Sequence, residues 1–139
     1  MVRLALAHIR KDASGAWVEH ELDHHLKSVS ALAGSFADAF DGREWAALAG
    51  LWHDLGKFRP VFQQYIRSAS GMDAHIETAP GKVKHAIAGA IHATQSLGPR
   101  GHLLAYMIAG HHAGLPDWHP ETGASLSQEL TSEQGTLEE

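Results

Sequence analysis

From Glu21 onward the apolar residues of this chain recur every three or four positions, and that period dictates helices. Leu22, Leu26, Val29, Ala33, Phe36 and Phe40 step along one stripe, the spacing of an amphipathic α-helix. Asp41-Gly42 is expected to end it, with Asp41 as N-cap of the next helix and Glu44 completing a capping box. That second helix is predicted over residues 43–55, stopping at Gly56 as a C′ glycine. Pro60 suits the first turn of a short helix carrying Val61, Phe62, Tyr65 and Ile66. Two more helices are predicted over 82–96, ended by Gly98-Pro99, and over 102–112, ended by Gly114-Leu115-Pro116. Upstream, residues 2–9 alternate weakly as a strand, Asp12-Ala13-Ser14-Gly15 reads as a turn, and 16–19 returns as a second strand. Residues 68–81 form a polar loop long enough to be a functional segment. The expected class is therefore all-α, a helical bundle with a short N-terminal β-hairpin. One domain is expected over 1–119. Residues 120–139, in which only Leu126, Leu130 and Leu137 are large and apolar, are expected to form a polar acidic tail, weakly helical or disordered.

Composition narrows the function. At 139 residues and 44% hydrophobic the chain can bury one real core. No apolar run approaches the roughly 18 residues of a membrane span, and no secretory signal pattern is present, so a soluble, cytoplasmic protein is expected. The absence of cysteine excludes disulfides and thiolate ligands; any metal must sit on histidine and carboxylate. The net charge is −5 and the eleven Lys and Arg are scattered. A protein gripping duplex DNA alone usually carries a basic stripe, so tight nucleic-acid binding here would need a metal centre or a partner.

Twelve histidines are spread along the chain instead of forming one run, and their placement on the helices is informative. At about 100° per residue, His25 falls inside the stripe of Leu22, Leu26, Val29, Leu32, Ala33 and Phe36, while His24 points almost oppositely. A lone inward histidine is more often a hydrogen-bonded core residue than a ligand, because both ring nitrogens need partners. His53-Asp54 lies on the side of its helix away from Leu48, Trp52 and Leu55, backed by Ala46, Ala49 and Gly50, whose small size lets another helix approach. Such a dipeptide means little alone. His85 shares a small-residue face with Ala88, Gly89, His92 and Ala93. His111 sits in the stripe of Leu104, Met107 and Ile108; His112 is beside it near the helix end, where a loosened last turn lets both reach one ion. Four helices that each present an inward or small-face histidine point to a His-rich metal site.

The ordered set His25, His53-Asp54, His85 and His111-His112 resembles the HD superfamily of metal-dependent phosphohydrolases. More narrowly it is similar to the HD nuclease domain of the CRISPR-associated helicase–nuclease of type I systems. The strings that carry this are His25-Leu26-x-x-Val29-x-x-Leu32-Ala33, Leu51-Trp52-His53-Asp54-Leu55-Gly56-Lys57-Phe58, Lys84-His85-Ala86-x-Ala88-Gly89-Ala90 and Gly110-His111-His112-Ala113-Gly114-Leu115-Pro116-Asp117-Trp118. The His-Asp-Leu-Gly-Lys segment is widespread among HD proteins; the doubled histidine followed by Ala-Gly-Leu-Pro-Asp is more particular to the CRISPR branch.

The resemblance implies an all-helical bundle around two metals, with His25, His53 and Asp54 on one ion and Asp54 bridging to a second held by His85, His111 and His112. Lys57 matches the lysine that neutralises the scissile phosphate. Histidine ligands favour manganese, nickel, cobalt or iron over magnesium alone. The implied reaction is hydrolysis of single-stranded DNA during CRISPR interference, with a helicase domain or subunit and the CRISPR surveillance complex as partners and no membrane. The family also supplies a further Asp to the first ion from far downstream. Asp117 is the only Asp after His112 and belongs to the loop motif, so the chain is expected to be a C-terminally truncated piece with that ion weak or absent. Two rival readings remain: an HD phosphohydrolase of nucleotides or cyclic nucleotides, for which the 68–81 loop offers only Met72 and His75, and a catalytically impaired metal-binding helical module.

Overall fold

The computed structural model describes residues 4–68, 84–119, 123 and 125–134. Two antiparallel strands, β1 (Leu6–Lys11) and β2 (Trp17–Glu21), pair with His8 opposite His20 and Arg10 opposite Val18, and a bulge separates Leu6 from His8. The turn between them is held by Asp12, whose Oδ1 accepts from the Ser14 and Ala16 amides at 2.8 and 3.0 Å. Both strands of the expected hairpin are thus present, shifted a few residues along the chain.

Six helices follow. In α1 (Leu22–Ala37) the predicted stripe holds only at its start. Leu22, Leu26, Gly34 and Ala37 are buried, whereas Leu32, Phe36 and Phe40 are exposed. The cause is α2 (Arg43–Trp52), which packs along the small residues: a Cβ on Gly34 would sit 3.4 Å from the Ala47 Cβ, and one on Gly50 would lie 2.9 Å from Ser30 Cα. Close helix approach outweighs burying Phe36. The capping box does not form. Asp41 is left-handed (φ 59°) at the end of a 3-10 turn over Asp38–Phe40, and Gly42 is the N-cap of α2 without a side-chain cap bond.

α2 stops at Trp52, and His53-Asp54 sits in the turn leading to a 3-10 turn, Leu55–Phe58. Gly56 is needed for a reason other than helix termination. A Cβ there would strike the His85 carbonyl and lie 2.7 Å from His85 Cα. α3 (Pro60–Ser68) packs Phe62 and Ile66 on Leu6, and Gln63 clamps β1 by accepting from the Leu6 amide at 2.8 Å and donating to its carbonyl at 2.9 Å.

α4 runs Ala86–Leu97 and α5 Gly101–Ala109, both shorter than predicted. Residues 69–83, with most of the predicted polar loop, lie outside the described residues. α4 and α5 bury Ile87, Ile91, Leu104, Ala105 and Ile108 together, and Leu126 joins them from α6 (Leu126–Ser132), which Ser125 N-caps by accepting from the Gln128 amide at 3.2 Å. A short helix therefore occupies part of the acidic C-terminal stretch. Among the described residues no helix is long and apolar enough to cross a membrane.

Candidate metal centre

Asp54 is the hub. It follows α2 and is fully buried, and the loops after α2 and α5 and before α4 converge on it. Its two oxygens face different partners. Oδ2 lies 3.2 Å from His25 Nε2, 3.1 Å from His53 Nε2 and 3.0 Å from Lys57 Nζ; Oδ1 lies 3.2 Å from His85 Nε2 and 3.5 Å from His111 Nε2. The imidazoles also meet one another, His25 with His53 at 3.3 Å and His85 with His112 at 3.0 Å between Nε2 atoms. Donors around a tetrahedral ion with bonds of about 2.1 Å stand about 3.4 Å apart, so these separations are those of ligand sets. Two groups with ligand atoms within 4.8 Å of one another share Asp54: His25–His53–Asp54 and Asp54–His85–His111–His112.

Proton positions support a cation. His53 Nδ1 lies 2.7 Å from the Gly50 carbonyl and His111 Nδ1 2.6 Å from that of Ile108. A carbonyl only accepts, so each Nδ1 carries the proton, the outer bond typical of metal-binding histidines. Each Nε2 faces the carboxylate, so it either carries a second proton and donates to Asp54 or turns its lone pair to a metal ion lying between them. Asp54 Oδ1 is buried and accepts no well-aligned hydrogen bond among the described residues, an orphan expected of an atom built to bind a cation. Burial pushes the Asp54 carboxyl up, but interactions with His111, His25, His53 and His85 outweigh it and hold the group well below the usual carboxylate range. Asp54 is thus a permanent anion, and the residues present fit a divalent metal.

Each predicted site residue can be placed. His25 points into the centre while His24 turns outward to pair with His20 at 3.2 Å. His85 does not sit on a helix face as predicted; it is the residue before α4, with φ −139°. His111 and His112 lie past the end of α5 in a turn, and that loosening brings both to one place. His92, on the predicted face with His85, is exposed against the Trp52 ring. Lys57, for which the resemblance implies a role at the scissile phosphate, lies buried against Asp54. Its side chain is 0% exposed and its Nζ reaches Asp54 and the Ala7 carbonyl, the latter at 3.2 Å. The ammonium neutralises Asp54 from below and faces no solvent. The side chains of His25, His53 and His111 keep 13, 16 and 21% exposure, so the centre has a buried floor and an accessible rim.

Two residues had no sequence motif. His8 and His20, opposite each other across the hairpin, bring ligand atoms within 4.8 Å of His25 and of one another. Burial, then the neighbouring His25 and His24, lowers the His20 pKa. Extending the predicted 16–19 strand through His20 and pairing it with the first in register was the available signal.

A helical bundle with a His-Asp hub serving two imidazole groups is the architecture of the metal-dependent HD hydrolases. The model of the family described as "Cas3, HD domain" matches residues 11–138, and the chain belongs to that family. Its members are HD-type phosphohydrolases and nucleases that bind divalent metals, and its name associates them with CRISPR systems. No individually curated protein matches the chain.

Proposed function

We propose that this chain is a metal-dependent nuclease that hydrolyses single-stranded DNA in CRISPR interference. The observation that carries the reading is Asp54, whose two oxygens each face a separate imidazole group behind a solvent-accessible rim. His25, His53 and Asp54 would hold one divalent ion, and Asp54, His85, His111 and His112 the other. Paired ions at such a site activate water and neutralise charge on the attacking and leaving oxygens of a phosphodiester. The Gly50 and Ile108 carbonyls orient His53 and His111, and Lys57 fixes the bridging carboxylate. The mixed nitrogen–oxygen donor set favours manganese, nickel, cobalt or iron over magnesium.

The net charge of −5 and the scattered Lys and Arg supply no duplex-binding stripe. This supports delivery of an already single strand by a helicase domain or subunit, loaded by the CRISPR surveillance complex in the cytoplasm. The test is incubation of metal-free and manganese-loaded protein with single-stranded DNA, duplex DNA and a panel of nucleotides and cyclic nucleotides. Manganese-dependent loss of single-stranded DNA, absent in Asp54→Asn, is expected. Hydrolysis of nucleotides with DNA left intact would replace the reading with a nucleotide phosphohydrolase; bound metal with no turnover of any substrate would leave a metal-binding module.

A further inference from the structure

The histidines of the hairpin are not used by the centre around Asp54. His8 and His20 are direct cross-strand partners on the same sheet face, and His25, one turn into α1, closes a triangle with them. Ring centroids stand 5.6 Å apart for His8–His20, 4.7 Å for His8–His25 and 5.6 Å for His20–His25, with His25 edge-on to both hairpin rings. Cross-strand neighbours hold their Cβ atoms about 4.5–5.5 Å apart, so the backbone register keeps the two hairpin rings together. All three residues are half-buried at the junction of hairpin and α1, neither in the core nor fully solvated. A plain surface patch has no physical reason to gather three imidazoles, because protonating any of them raises the cost of protonating the others.

We propose that His8, His20 and His25 form a further binding site for a divalent transition metal ion, with nitrogen donors only. Three imidazoles leave a fourth tetrahedral position to water, and such a set selects zinc, nickel or copper over magnesium or calcium. His20 Nε2 lies 3.2 Å from His24 Nδ1; donation in that direction leaves the His20 Nδ1 lone pair for the ion and gives exposed His24 the part that the Gly50 carbonyl plays for His53. A neutral imidazole offers one lone pair, so an ion here and an ion on His25, His53 and Asp54 compete for His25. The chain should therefore saturate with two ions, not three. The proposal shares only His25 with the centre around Asp54: a hairpin ion excludes the ion on His25, His53 and Asp54 and leaves the one on Asp54, His85, His111 and His112 untouched.

The test is a zinc titration of the metal-free 139-residue chain, followed by the imidazole NMR signals and by calorimetry. The first equivalent is expected to move His85, His111 and His112, and the second to move His8 and His20. In His8→Gln with His20→Gln the first equivalent should bind unchanged and any second one should move His53 instead of the hairpin, and His20→Gln alone should weaken the second equivalent at least about tenfold, since loss of a mere outer partner already costs that much. Far-ultraviolet circular dichroism of the metal-free variants checks that they fold. His8 and His20 signals unmoved by zinc in the unsubstituted chain, with the first equivalent still bound, would overturn the hairpin site and leave the Asp54 centre standing. No zinc at either place would overturn both.

Discussion

At the residue scale the choice between adjacent side chains is decided by direction. His24 and His25 are neighbours, yet only His25 stands 3.2 Å from Asp54. His25→Ala is expected to lower the metal bound at saturation, and His24→Ala to leave it unchanged, as measured by elemental analysis; the reverse result would mean that α1 is turned about its axis. Lys57 gives the second prediction. It forms a buried ion pair with Asp54, and removing one partner of such a pair usually costs about 3–5 kcal/mol. Lys57→Met should lower the urea midpoint accordingly while metal is still taken up. Unchanged stability with lost DNA cleavage would return Lys57 to phosphate binding. His25 was legible because one inward position in an apolar stripe can be read from a wheel. Burial of Lys57 was not, because lysine is almost always exposed unless a partner holds it, and that partner is known only once the fold is. His8 and His20 stayed hidden for a related reason: their meeting depends on strand register, a property of two segments together.

At the element scale the sequence places α1 to α5, leaves the region of α6 between a weak helix and disorder, and sets the end of α2, the start of α4 and the end of α5 too far out. α2, α4 and α5 were all read too long, and in each case the missing turn became a loop carrying His53-Asp54, His85 or His111-His112. Helical periodicity continues through such residues, so it does not register a chain leaving the helix to bring side chains together. What holds the helix ends in contact is glycine. A Cβ on Gly89 of α4 would collide with the Trp52 carbonyl at the end of α2 and lie 2.9 Å from its carbon. Gly89→Ala should therefore push α4 from α2, costing about 1–3 kcal/mol as overpacking does. It should also weaken metal binding, since Asp54 follows α2 and His85 precedes α4. Thermal unfolding and a zinc titration of that variant provide the check. A stable variant with unchanged affinity would show that the helix ends tolerate separation and that the site is built by its loops alone.

At the scale of the whole molecule the buried apolar residues among those described form three clusters: one within α4, α5 and α6, one joining β1 to α3, and one joining β1 to α1. The polar seam through Asp54 lies where they meet, so an ion bound there ties the α4–α5 side to the rest of the chain. The ion on Asp54, His85, His111 and His112 has four protein donors and that on His25, His53 and Asp54 only three, so dialysis should leave the first and strip the second. A ligand at a hundred times its dissociation constant stabilises a fold by about 2.7 kcal/mol. In a domain of this size each kcal/mol moves the melting temperature by about 3–5 °C. Excess zinc should thus raise Tm by roughly 10 °C over the chelated protein. Histidine must be neutral to ligate, so binding takes up metal as it releases protons, and the stabilisation weakens as pH falls. Asp54→Asn removes the donor common to both groups and should abolish most of the rise at any pH. Melting curves of both proteins at pH 7.5 and 5, with zinc and with chelator, decide the matter: a full rise in Asp54→Asn, or one undiminished at pH 5, would place the stabilising ion away from this seam.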